Sequence, residues 1–297
     1  MSYQKYFFAV AATAIVSSLV FLCSANGQTV PEVDISSDHL MQADTLLVVV
    51  KNEPGEITGK LGVLPVHFLR SDDGKDWVAI VGISVGKKPG NYILDIRVAG
   101  KEPFKKDITV AKRIFPVTPL VITPALKKKG YTAKKIITTI QKKENVSLAS
   151  VLSAIDPNAY FHKPFADPLS NIQIVGNFGD IRAAKNYKIQ HLGVDLKAAV
   201  GTPVFATNDG VVVFIGKNMP DYGNTIVIDH GLGIYSLYLH LSKFNVKKGQ
   251  MVTQGQTIAL SGATGYVLGP HLHFSIKVRG AALDPLTFIQ TTQSMSW

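Results

Sequence analysis

Between about residues 44 and 114 the chain alternates short apolar runs with turn residues. The runs Thr45 to Lys51, Val63 to Leu69, Trp77 to Val85, Tyr92 to Val98 and Lys105 to Lys112 are rich in Val and Ile. Pro54-Gly55, Asp72-Asp73-Gly74, Pro89-Gly90-Asn91 and Gly100 separate them. Such runs bounded by such turns predict strands. Their regular recurrence predicts a small β-sandwich of the immunoglobulin-like kind over residues 40–115. His67, flanked by apolar residues, reads as a structural histidine. The pattern changes after Pro116, Pro119 and Pro124. Ile136, Ile137, Ile140, Val146, Leu148, Val151, Leu152 and Ile155 recur at spacings of three and four. That spacing predicts one or two amphipathic helices, so residues 116–160 read as a partly helical linker. Strands and Gly-rich turns return from 161 to 290, with no internal repeat. The expected fold class is mainly β: the sandwich, the linker, and a C-terminal antiparallel β-sheet domain.

The first residues follow a different rule. Lys5 is the only charge before an apolar run from Tyr6 to Leu22, and small and polar residues follow from Cys23 to Gly27. Positive, apolar, then small is the order of a secretory signal peptide, here residues 1–25. The competing reading is an uncleaved membrane anchor, for which the run is barely long enough, since a span needs about 20 residues. Cys23 is the sole cysteine. Leu22 before it is larger than the residue lipoprotein signals prefer, which argues against lipidation. A mature chain without cysteine forms no disulfide, and any metal must be held by His, Asp or Glu. Export places the chain in the periplasm or cell envelope.

Composition changes this picture little, but charge placement adds to it. Hydrophobic residues make up 46% and charged residues 18% of the chain, a globular balance that excludes bulk disorder. Residues 105 to 143 hold eleven Lys or Arg and one acid, Asp107, while the whole chain is +10, so the remainder is near neutral. One reading is a solvated helix face. The other is attraction to an anionic envelope polymer or lipid surface. Nucleic acid fits poorly with export.

The chemistry lies in the C-terminal third. His191 and Asp195 are four apart, and His271 and His273 are two apart. In extended backbone an even spacing puts both side chains on one face. His240 lies between the two motifs. His and Asp are suited to zinc, and three protein ligands leave a position open for hydrolytic chemistry. Each motif alone is weak.

Taken together the motifs resemble the lysostaphin-type (LytM-like) peptidoglycan endopeptidases. The resemblance runs from about residue 174 to 289, through His191-Leu192-Gly193-Val194-Asp195 and its continuation to Val204. It then takes in Asp209 to Val212, Tyr222 to Gly231, Tyr238 to Ser242, Val246 to Val252 and Gly269-Pro270-His271-Leu272-His273-Phe274. It implies a zinc metallopeptidase domain over 161–290 that cuts peptide cross-links in peptidoglycan. It further implies His191, Asp195 and His273 as zinc ligands, with His240 and His271 as the catalytic pair that handles the proton of the attacking water. Many relatives carry Glu after His-Leu-His-Phe; here it is Ser275, which is expected to point away from His271 and His273.

Other signals are weaker. Tyr238, two before His240, is expected to share its face and to support substrate binding. Arg182 is a candidate for substrate carboxylates or a plain salt bridge. Gly262-Ala263-Thr264-Gly265 reads as a structural turn and His230 as a turn residue; His162 is unassigned. Two other functions compete. One is a catalytically inactive peptidoglycan-binding regulator, which would be expected to have lost ligands. The other is a biotin- or lipoyl-type carrier, which would have no use for the histidines.

Overall fold

The structure is a computed structural model that describes residues 29–295. The expected signal segment and Cys23 lie outside the described residues. No helix among the described residues is long and apolar enough to cross a membrane.

The N-terminal part builds two sheets. Val33–Ile35, Thr45–Val50, Trp77–Gly82 and Leu69–Arg70 form one; His39–Met41, Phe104–Ala111, Gly90–Val98, Ile57–Leu61 and Leu64–Val66 form the other. Residues from both, among them Val48, Val81, Leu94 and Ile108, share one apolar cluster. The run Val63 to Leu69 is not one strand, because it breaks at His67-Phe68 between two short ones. This part is joined firmly to the rest. Arg113 bonds both Asp44 and Asp284, Asp284 N–H donates to Ala43 carbonyl at 3.0 Å, and His162 meets Asp72 at 2.7 Å.

The C-terminal part is organised by an antiparallel eight-stranded sheet. Its order is Ile174–Gly176, Val194–Lys197, His271–Val278, Ile234–Leu241, Gly223–Asp229, Gly210–Met219 and Met251–Val252, with Ala281–Leu283 on the outer part of the His271 strand. Three central strands are almost wholly buried, and Tyr238, Phe274, Ile226, Leu196 and Phe288 fill one side of the sheet. The other side carries Tyr235, Leu237 and Leu239, packed with Leu148.

The basic segment is more than a tether. It forms α1 (Pro124–Lys128), α2 (Ala133–Thr139), a π-helical turn (Ile140–Glu144) and α3 (Asn145–Ser153). Thr123 and Thr132 cap α1 and α2 by accepting from Leu126 and Lys135 N–H groups, both at 3.2 Å. Leu126, Ile136, Ile137 and Leu148 are buried; α2 packs against the strand Tyr187–Gln190 and Leu148 of α3 against the eight-stranded sheet, while Lys127, Lys128, Lys129, Lys134 and Lys135 remain exposed.

Candidate active site

His271, His273, Ser275 and Lys277 occupy alternate positions on one strand, so their side chains share a face. Asp195 on the next strand is directly opposite His273. His191 is not on that strand. It sits in the preceding loop, seated by paired backbone bonds: its N–H donates to Asp180 and its carbonyl accepts from Gly179. The face rule therefore does not explain how His191 meets Asp195; the loop does.

The three side chains converge. Asp195 Oδ1 lies 3.0 Å from His191 Nε2 and 2.9 Å from His273 Nδ1, and those two nitrogens are 2.9 Å apart. Their surroundings fix which atoms carry protons. His191 Nδ1 is 2.8 Å from the Asn177 carbonyl. A carbonyl only accepts, so Nδ1 holds the proton and Nε2 keeps its lone pair. His273 Nε2 is 2.9 Å from Ser275 Oγ, and that hydroxyl donates to the Leu192 carbonyl at 2.9 Å. Nε2 therefore donates to the serine, leaving the Nδ1 lone pair directed inward. Three acceptors then face one another with no proton between them. Such a triangle is stable only around a cation, and two imidazoles and a carboxylate are a zinc donor set. The same three residues are the candidate metal group of the described residues.

Close packing leaves no space for other side chains here. A Cβ at Gly193 would fall 2.3 Å from Ser275 Oγ and 2.4 Å from His273 Nε2; one at Gly176 would fall 2.5 Å from Asp195 Oδ2. The expectation that Ser275 points away is wrong. Residues 273 and 275 have the same parity on one strand, and it is Phe274 that turns to the core.

His240 reaches this face by an irregularity. Asn224 pairs with Leu241 and Ile226 with Tyr238, so two residues, Leu239 and His240, oppose Thr225 alone. This is a β-bulge, and His240 takes φ 62° within it. Simple alternation would have sent His240 to the core with Tyr238. The bulge instead places its ring 4.8 Å from that of His271 and 6.1 Å from that of His273. His240 Nδ1 bonds the Thr264 carbonyl at 2.9 Å, and His271 Nδ1 bonds the Gly269 carbonyl at 2.9 Å. Each thus keeps Nε2 for the site. The turn at 262–265, read as merely structural, holds His240. Burial, then the neighbouring His271 and His273, keeps the His240 pKa low, so it is a neutral imidazole. Burial also opposes charging of His271, but the hydrogen bond and charge of Asp195 outweigh it and raise its pKa.

One weaker expectation needs correction, that for Tyr238, and Arg182 takes the salt-bridge alternative of its two readings. Tyr238 is fully buried, and its hydroxyl is occupied by Thr207 N–H at 3.0 Å and Ser236 Oγ at 3.0 Å. It is a core residue with no surface for substrate, and the same bulge is why it parts from His240. Arg182 donates to Asp195 Oδ2 at 2.6 Å. It is the salt-bridge partner of the carboxylate, leaving Oδ1 turned to the histidines. His230 is likewise no simple turn residue: its ring bonds the Asp209 carbonyl and Ser236 Oγ in the core, and burial pulls its pKa down to about 4.

The site opens on a cleft of about 340 Å³. His191, His240 and His273 line its floor, and Ile136, Ile140 and Leu148 of the helical segment line its wall. Glu144 fastens that wall, accepting from the N–H groups of Asp221 and Tyr222 at 2.9 and 3.3 Å; Tyr222 donates to Asn145 at 2.7 Å. Sequence reasoning missed this contact. The available signal was Glu144 itself, an acid ending a basic run among apolar helix positions.

Residues 189–285 match the profile of peptidase family M23. The catalytic domain of lysostaphin from Staphylococcus simulans is 37% identical, with 40% of this chain and 93% of that chain covered and a TM-score of 0.37. Residues 189–285 form a peptidase family M23 domain. A solved M23 peptidase candidate from Pseudomonas aeruginosa shares the fold over 82% of this chain and 92% of its own, at 29% identity and a TM-score of 0.52. ShyA, a peptidoglycan DD-endopeptidase of Vibrio cholerae, is 51% identical over 96 residues, 32% of this chain and 22% of its own. ShyB, with the same description and organism, is 47% identical over 98 residues, 33% of this chain and 23% of its own. The chain thus spans less than a quarter of the length of these curated relatives.

Proposed function

We propose that this M23 chain is a zinc-dependent endopeptidase that hydrolyses peptide cross-links of bacterial peptidoglycan. The observation that carries the reading is the proton-free triangle of His191, Asp195 and His273 beside two further histidines, His240 and His271, whose Nδ1 atoms are held by backbone carbonyls and whose Nε2 atoms are left for the site, that of His271 3.5 Å from Asp195 Oδ1. A zinc ion in the triangle supplies a Lewis acid and lowers the pKa of a bound water to about 7. The protein supplies the rest. His191 and His273 are held in the ligating tautomer by Asn177 and Ser275. One Nε2 of the pair His240 and His271 would accept the single proton that water gives up as its oxygen bonds the scissile carbonyl carbon, and the pair would return that proton to the amine as the C–N bond breaks. The relatives named as peptidoglycan DD-endopeptidases support the substrate. The inactive-regulator reading is not favoured, because every ligand and both proton carriers are present. Incubation of purified sacculi with the zinc-loaded protein tests the reading: cross-linked muropeptides should fall and uncross-linked ones rise.

The finer organisation belongs to the same proposal. The signal order of the first residues supports export to the periplasm or envelope, with the N-terminal sheets as an immunoglobulin-like sandwich. The exposed lysines of α1 and α2 support attraction to an anionic envelope polymer or lipid, with no role for nucleic acid. Neutralising Lys127, Lys128, Lys129, Lys134 and Lys135 to Gln should weaken retention on envelopes at low salt, and the difference should shrink at high salt. Equal retention at low salt would leave only a solvated surface.

A further inference from the structure

The cleft contains more positive charge than the zinc chemistry uses. Arg182, Lys188 and Lys277 line it, and Asp221 is the only acid among its lining residues. Arg182 is committed to Asp195. Asp221 is only partly charged near neutral pH, because burial and the nearby Glu144 push its pKa up to about 7. Lys188 and Lys277 have no side-chain hydrogen bond or ion pair among the described residues.

Lys277 is the more telling of the two. It follows His271, His273 and Ser275 on the same face of one strand, four residues beyond the ligand His273. At 3.2–3.4 Å per residue that is roughly 13 Å from the site of hydrolysis. It is half-buried, and burial lowers its pKa with no carboxylate to oppose the shift. A partly desolvated ammonium in a cleft lacks a counter-charge that a bound molecule can bring.

We propose that Lys277, with Lys188 at the exposed edge of the same cleft, forms a carboxylate-binding subsite that selects peptides carrying an anionic group about four residues from the scissile bond. This rests on the endopeptidase reading and adds to it a specificity element. An extended peptide places its fourth residue at that distance, and a carboxylate there meets the ammonium in a charge-assisted bond. Lys277 touches no reacting atom. Its contribution is to ground-state and transition-state binding alike, so it acts on KM more than on kcat.

The test uses the zinc-loaded full chain and soluble cross-linked peptides carrying a carboxylate or a carboxamide four residues from the cleaved bond, on each side in turn. Wild type should show a KM about tenfold lower for the carboxylate on one side. Lys277→Met keeps the apolar stem and removes the charge. It should abolish that preference while zinc content, melting temperature and kcat on the carboxamide stay unchanged, and Lys277→Arg should retain most of the preference. Cleavage of both peptides with equal KM by wild type, or an undiminished preference in Lys277→Met, overturns the subsite alone. Cleavage of neither peptide by wild type overturns the endopeptidase reading and the subsite with it.

Discussion

Ser275 Oγ accepts a hydrogen bond from His273 Nε2–H at 2.9 Å and donates one to the Leu192 carbonyl at 2.9 Å. The serine therefore decides which nitrogen of His273 faces the metal position. Ser275→Ala removes the acceptor and frees the imidazole to change tautomer or rotate. Zinc affinity should fall by about 10–100-fold, as is typical for partners of metal-bound histidines. Competition with a chelator of known affinity measures this directly. Excess zinc should restore most activity. An unchanged zinc affinity would make Ser275 a packing residue only.

The division of labour among the five site residues is separable by metal analysis. His191→Ala, Asp195→Ala and His273→Ala each delete one of the three proposed ligands and should lose zinc. His240→Ala and His271→Ala should retain about one zinc per chain while cleavage drops by about 10²–10⁴-fold. A His240 or His271 variant that arrives metal-free would move that residue among the ligands.

The bulge at His240 carries a cost that can be read in stability. A non-glycine residue at φ 62° sits in a region that disfavours a Cβ. Glycine adopts it freely. His240→Gly and His240→Ala both delete the imidazole, but the glycine variant should be the more stable by about 1 kcal/mol. Denaturant unfolding of the pair gives the difference. Greater stability in the alanine variant would mean that the backbone strain is not there.

Asp221 and Glu144 make the wall of the cleft sensitive to pH. Asp221 is 3% exposed, and its pKa rises from 3.8 to about 7 through burial and then the charge of Glu144, which Lys135 only partly offsets. The folded state thus binds this proton more tightly than the unfolded chain. The resulting stabilisation is full below about pH 4 and is lost as pH rises through about 7. Asp221→Asn should remove much of that slope. At pH 8 it should be more stable than wild type by on the order of a few kcal/mol, with the difference shrinking steadily toward pH 4, where little remains. Melting temperatures across that range check the sign. A wild-type protein that gains stability between pH 5 and 8 would contradict it.

Much of this was legible in the residues, and the failures have physical causes. Alternating Val and Ile runs gave most of the strands of the first sheets, because period two survives wherever one face is buried. His271 and His273 were legible for the same reason. Ser275 was misplaced although the same rule, applied two residues on, puts it beside His273. Tyr238 and His240 were wrongly paired because a bulge breaks the alternation, and no local signal such as glycine marks it. The helical segment was legible as helix, but its role as a cleft wall was not. Ile136 and Leu148 announce a buried face without saying what it covers, and only the tertiary contact of Glu144 with Asp221 and Tyr222 reveals that.

The most direct measurement uses one purified cross-linked muropeptide dimer and three samples: the zinc-loaded protein, the same protein after chelation, and the chelated protein with zinc restored. The account predicts that the first and third convert the dimer into two peptides whose masses sum to that of the dimer plus one water, and that the second leaves it intact. Undiminished cleavage by fully zinc-free protein, or an intact dimer with all three, would contradict it.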